Sequence, residues 1–464
     1  MSEAGGSGAA MGRTPNDQLA ALIDEAGCSH GALARDITTL AAERGLDVRC
    51  DHIDVGRWRA GMRPRGVKPQ LVAEALGRRV NRPLTLGDVG MEGRGGPSLN
   101  LALSFAEDRT TVLRTATTLW DEDLKRSDFL RRGAVTAAML ATPMTDWLLA
   151  SPADPAYRTG RMPRVGVAEV DAVRATARMF EDLDHQYGGG HARTAAVQYL
   201  HAHVSPLLRG TYTDAVGRDL FAVAAQFVYK TGAMAYDTGL HGLARRYFVQ
   251  GLGLAHASGD RALGGKVLAL MSHQANFLGE YRDALQFARA AKLGASGHAT
   301  PRVHAMYCAM EARALASLGD TRACLRALRE AETAFAKGMD GDDPSWIGYF
   351  DAAELHDEAG HCFTALRQRA DVEYRARLAL GDVSDAYPRS RTFCRLSLAT
   401  AQLRARDVEQ ACATATTAMS AMRQIKSARV RAYLRSFAAE TRPYADVPAV
   451  KDFHHQAREL FEAA

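Results

Sequence analysis

Apolar residues along this 464-residue chain recur three and four positions apart, the spacing that puts them on one face of an α-helix. In residues 16–26 the stripe is Leu19, Leu22, Ile23 and Ala26, stopped by Gly27. Residues 29–44 open on a capping Ser29, carry Leu33, Ile37, Leu40 and Ala41 on one face, and end before Gly45. A short helix over 51–60 has Ile53, Val55 and Trp58 as buried candidates, and a fourth over 68–80 has Leu71, Val72, Ala75 and Leu76. The stretch GRGGPS at 93–98 joins three Gly to a Pro and reads as a linker, while residues 1–14 read as a disordered leader. Helical patterns resume over 99–215, broken at 151–163 by prolines and at 188–190 by three glycines, and these helices are expected to connect to and cap the segment from 216 onward.

From 216 to 464 the informative positions are the small ones. With anchors at Gly239, Gly279, Gly319, Gly360 and Arg406, spaced 40, 40, 41 and 46 residues apart, a small residue stands five positions on in every copy: Ala244, Ala284, Cys324, Ala365 and Ala411. Another stands seven positions before: Gly232, Ser272, Ala312, Ala353 and Ala399. Gly251, Ala291, Ala331, Val372 and Ala418 stand twelve positions after the anchors. Small residues on both sides of a short turn, at a fixed period, allow two helices to approach closely, and their repetition predicts stacked helical hairpins. The copy GEYRDALQFARAA (279–291) resembles the tetratricopeptide (TPR) motif, with a period longer than that family's. The expected fold is all-α, an N-terminal helix-turn-helix domain (15–92) followed by a TPR-like α-solenoid (216–464).

Composition narrows the setting. Hydrophobic content of 47% with 24% charge suits a globular protein, and no apolar run reaches the 18 or so residues of a membrane span. Seven scattered cysteines without a CxxC pair argue against a disulfide framework or a structural zinc site, so a cytoplasmic location is expected. Net charge is only +5, yet residues 49–82 alone carry nine basic side chains against three acids. A confined basic stretch is the footprint of polyanion binding, the alternative being a solvated helix surface.

Four short helices with basic charge on and after the third resemble the Cro/C1 (XRE-type) helix-turn-helix family, and WRAGMRP (58–64) is similar to the way its third helix closes. That resemblance implies double-stranded DNA as a partner and a homodimer on a two-fold site. His52, Asp54 and Arg57 would face base edges, with Arg49, Arg63, Arg65 and Lys68 on phosphates and Trp58 in the core.

No catalytic constellation is legible. His201 and His203 stand two apart on a helix, the glycines at 188–190 lack the Lys-Ser/Thr of a phosphate loop, and DGDDP (340–344) lacks calcium-loop spacing. Neither cofactor nor metal is expected, and the chain does not read as an enzyme.

The order of parts is similar to actinobacterial regulators of the NsdA-like family, a resemblance that implies transcriptional control, often negative, of development or secondary metabolism. In TPR domains the groove is lined by the first helix of each pair. Offsets of 3, 6, 10 and 13 before the anchors select Tyr229, Tyr236, Lys266, His273, Asn276, Arg313, Glu354 and Asp357. These polar positions predict a peptide or protein effector, the alternative being a solvated face; an adaptor that does not read DNA is the other function class left open.

Overall fold

The computed structural model describes residues 15–43, 46, 48–62, 64, 66–80, 84, 86, 88–91, 102–125, 135–152, 163–338, 341–383 and 387–462, without the side chains of 369 and 370. The leader 1–14, the linker 93–98, Arg63 and Arg65 lie outside the described residues. Among those described the fold is all-helical, with a lone bridge between Arg164 and Thr211, and the chain separates into two compact units, Met1–Asn100 and Leu101–Ala464.

The first unit holds α1 (Asp17–Glu25), α2 (His30–Glu43), α3 (His52–Arg59) and α4 (Lys68–Arg79). Its core is its own: Leu19, Leu33, Ile37, Val55, Leu71 and Leu76 are fully buried, and Trp58 is 3% exposed. Asn16 ties the ends together, accepting from the Leu19 amide at 3.0 Å as N-cap and donating to the Val89 carbonyl at 2.9 Å. One sequence expectation fails here. Ile53 is 49% exposed, because α3 is a two-turn helix that turns only Val55 and Trp58 inward.

The second unit opens with α5 (Arg109–Lys125), α6 (Ala141–Leu149), α7 (Val167–Tyr187) and α8 (Gly189–Tyr199), the last running through a π turn at Leu200–Val204 into Ser205–Leu208. Five helix pairs follow: α9 (Asp214–Asp237) with α10 (His241–Ser258), α11 (Arg261–Phe277) with α12 (Tyr281–Gly294), α13 (Pro301–Ser317) with α14 (Thr321–Phe335), α15 (Ala352–Ala365) with α16 (Arg369–Asp382), and α17 (Pro388–Arg404) with α18 (Val408–Met422). Helices α19 (Ala428–Glu440) and α20 (Pro448–Glu462) finish the chain.

Each first helix ends in a Schellman motif, in which the amide two residues past the cap bonds a carbonyl five residues back. These bonds run from Leu240 to Ala235, Glu280 to Ala275, Asp320 to Leu315, Gln368 to Phe363 and Asp407 to Gln402, at 2.8–3.0 Å. The motif needs a left-handed residue, supplied by Gly239, Gly279 and Gly319 (φ 80–82°), by Arg406 (φ 68°), and in the fourth pair by Arg367 (φ 60°). Gly360 is therefore not a turn residue. It lies buried inside α15, seven positions before Arg367, and takes the close-approach position itself. With Arg367 as anchor the register becomes regular: Val372 is the small residue five on and Ala379 the one twelve on, both buried like their counterparts.

The stack does not stay open. The Lys426 amide donates to the Tyr187 carbonyl at 2.7 Å and the Gly190 amide to the Lys426 carbonyl at 3.1 Å, so the turn before α19 locks into the break between α7 and α8. Ser427 Oγ donates to Asp237 Oδ1 at 2.8 Å, joining the N-cap of α19 to the end of α9. Gly189 explains why that break is glycine: a Cβ there would stand 2.5 Å from the Met234 carbonyl oxygen.

Candidate functional site

Because helices pack through small residues on one side, the opposite faces of α9, α11, α13, α15 and α17 turn inward, and α7 and α19 cover them. Together they line a cavity of about 260 Å³. Seven of the eight groove residues expected from the offsets line it: Tyr229, Tyr236, Lys266, His273, Arg313, Glu354 and Asp357. Asn276 does not; its Oδ1 is buried without a partner on the last turn of α11. Glu354 and Asp357 are counted from Gly360, yet the offset error of seven residues is two helical turns and leaves them on the same face.

One end of the cavity is a polar chain. The Arg313 Nη1 donates to Glu358 at 2.7 Å and lies 3.3 Å from His273 Nε2, while His273 Nδ1 lies 3.0 Å from the Tyr236 hydroxyl. A guanidinium only donates, so Nε2 accepts and the ring proton sits on Nδ1. Burial, then the Arg313 charge, holds His273 well below its ordinary range and keeps it neutral. The Tyr433 hydroxyl accepts from Arg313 Nη2 at 3.2 Å, and its ring stacks on Phe277. Beside it, Arg429 lies over Tyr236 and Phe393 at 4.6 and 4.8 Å.

The other end is less well partnered. Lys266 Nζ donates to the Tyr349 hydroxyl, lies 3.7 Å from Met306 Sδ and stands 3.9 Å from the Tyr349 ring centre. Burial pushes its pKa down to about 7, against the opposing pull of Glu354. Burial, then the charges of Glu358 and Asp357, pushes Glu354 up to about 8. Its side chain is half-buried and lines the cavity. Burial also pushes on Asp357, but His361 at 3.4 Å, Arg313 and the Cys394 thiol together hold it below the usual carboxylate range.

Arg313 is neutralised by Glu358 from the next helix pair. The sequence pattern also misses His361, Glu358 and Arg429 in the lining, while Phe393 stands thirteen before Arg406, at one of its offsets. His361 stands six before Arg367, so the right anchor finds it.

In the first unit, Arg49, His52 and Arg57 are exposed. Asp54 and Lys68, expected on bases and phosphates respectively, are joined at 3.4 Å. Arg78 meets Glu43 and Glu74, and Arg79 meets Asp36 at 2.5 Å, which removes two cations from the basic stretch.

Away from the cavity, ligand atoms of His304, Cys308 and Glu330 fall within 4.8 Å of one another, a cluster hidden from a linear reading because Glu330 comes from α14. Lys292 already occupies it, 3.0 Å from Glu330.

Residues 19–92 match the SP15 N-terminal domain family, so the first unit is similar to that domain. No curated protein and no solved structure matches the chain.

Proposed function

We propose that the protein is a DNA-binding regulator whose repeat unit senses an effector in its cavity. The observation that carries the DNA reading is the outer face of α3, where His52, Ile53 and Arg57 are exposed while Val55 and Trp58 anchor the helix to a separate core. An arginine suits guanine, and an exposed Ile suits the thymine methyl. Arg49, also exposed, supports the phosphate role. On this reading the chain acts as a cytoplasmic homodimer on a pseudo-palindrome and represses, with the effector shifting the equilibrium between two arrangements.

A second reading, an adaptor that does not read DNA, is favoured by the Asp54–Lys68 pair and the neutralised Arg78 and Arg79. Fluorescence anisotropy of the full-length protein on DNA selected from a random library separates the two. A regulator selects a recurring sequence and loses affinity steeply as salt rises. Failure to enrich any sequence would leave the adaptor.

The effector half has its own support. A cavity of about 260 Å³ lies just below the ~300–1,000 Å³ of ordinary ligand sites, which favours a small molecule or a single side-chain anchor over a length of peptide. Ala233 lines it from α9 and is only half-buried, so Ala233→Leu should fill it without unfolding the protein. That variant is expected to keep DNA binding and lose the response to extract.

A further inference from the structure

The charged groups of the cavity are largely spoken for. Arg313 is held by Glu358 at 2.7 Å, Arg389 by Asp184 at 2.8 Å, Asp357 by His361 at 3.4 Å, and Lys230 by Glu181. Two groups stand apart. Lys266, 5% exposed, touches only a hydroxyl, a thioether and a ring. The Glu354 carboxyl has no hydrogen-bond or ion-pair partner among the described residues.

Their placement is not accidental to the repeat. Lys266, Met306 and Glu354 each stand thirteen positions before the left-handed residue of their pair (Gly279, Gly319 and Arg367), so they occupy one level of the stack on α11, α13 and α15. Lys266 and Glu354 therefore face the cavity at the same height, with Met306 between them. No ion pair within 4.0 Å joins them among the described residues, and both line the cavity.

We infer that the cavity receives a small zwitterion of the α-amino-acid type, its carboxylate on Lys266 and its ammonium on Glu354. This rests on the reading of the cavity as the effector site. A lone anion or cation would bring an uncompensated charge beside largely buried groups, which is unfavourable. A zwitterion brings none in net and gives each of the two groups a charge-assisted hydrogen bond that it lacks within the protein. Burial holds Lys266 and Glu354 near neutrality while the cavity is empty, so the proton moves from Glu354 to Lys266 as the ligand enters. The rings of Tyr229, Tyr349 and Phe393 supply apolar wall for a side chain. An internal segment of peptide carries neither terminus and does not meet this requirement.

The test uses the full-length protein and the free L-amino acids, each titrated by calorimetry beside its N-acetyl and C-amide derivatives. At least one amino acid should bind, and each of its derivatives about 100-fold more weakly, the loss expected where a buried partner is left unmatched. Lys266→Met should weaken the amino acid and erase its advantage over the amide alone; Glu354→Gln should erase its advantage over the N-acetyl form alone. A merely structural role would lower both preferences together, and melting curves of the two variants check that they fold. Derivatives that bind as tightly as the parent, or a blocked tripeptide that binds where no amino acid does, would overturn the inference. A response to extract that survives Ala233→Leu would instead overturn the effector reading beneath it.

Discussion

Arg313 of α13 and Glu358 of α15 meet at 2.7 Å with 7% and 3% of their side chains exposed, and this pair crosses from the third helix pair to the fourth inside the ring of helices. Removing one member leaves the other charged and buried. Arg313→Ala is therefore expected to cost about 3–5 kcal/mol, whereas replacing both with apolar residues of similar size should be close to neutral. Urea midpoints of the single and double variants measure it. Arg313 is for this reason a poor choice for testing ligand contact, since its loss would be felt first as unfolding.

The two arginines in left-handed turns predict opposite outcomes from the glycines that share their role. Arg406→Gly should stabilise by up to about 1 kcal/mol, because the left-handed conformation costs an L-residue roughly 1–2 kcal/mol and glycine's extra chain entropy returns only part of that. Gly319→Ala should destabilise by about 1 kcal/mol at the equivalent position. Thermal melts of both variants, compared at one pH, check the pair of signs.

The repeat unit was legible in outline because its determinant is local. A Schellman turn and small residues at fixed offsets leave a mark on the sequence whatever surrounds them. The fourth pair misled for a physical reason: Gly360 is small in order to let α15 pack, and only its φ tells it from a turn glycine. What could not be read was the closure of the stack. Asp237 meets Ser427 across 190 residues, and nothing periodic marks either one. In the first unit, Ile53 had the pattern of a core residue, but helix length decides which way it points.

Protonation of Glu354 makes stability depend on pH. Its folded pKa, about 8, lies above the ordinary carboxyl value of 4.5, so between the two the native state binds more protons and the parent loses stability as pH rises. Lys266, depressed from 10.5 to about 7, acts in the opposite sense above neutrality. Glu354→Gln removes the first effect and, by taking away the carboxylate that pulls Lys266 up, strengthens the second, so both changes favour the variant as pH rises. The variant should gain on the parent steadily from about pH 5 to pH 8, as read from urea denaturation at each pH; a constant difference would show that Glu354 does not titrate there.

On DNA, Arg57 and Arg49 should separate by the kind of loss. Arg57→Ala is expected to relax discrimination at one base position by about 1–3 kcal/mol. Arg49→Ala should weaken all sequences alike and reduce the salt slope by about one. Competition binding with single-base operator variants, at two salt concentrations, distinguishes them.

The contact of the first helix pair with the start of α19 also bears on how such a chain can change over generations. An open array lengthens when a unit is duplicated, because each unit needs only its neighbours. Here one more pair would drive Ser427 away from Asp237 by about 10 Å, the width of a packed helix, and open the wall of the cavity. Gain or loss of a single unit would therefore break this contact, whereas substitution of side chains facing the interior leaves the number of units unchanged.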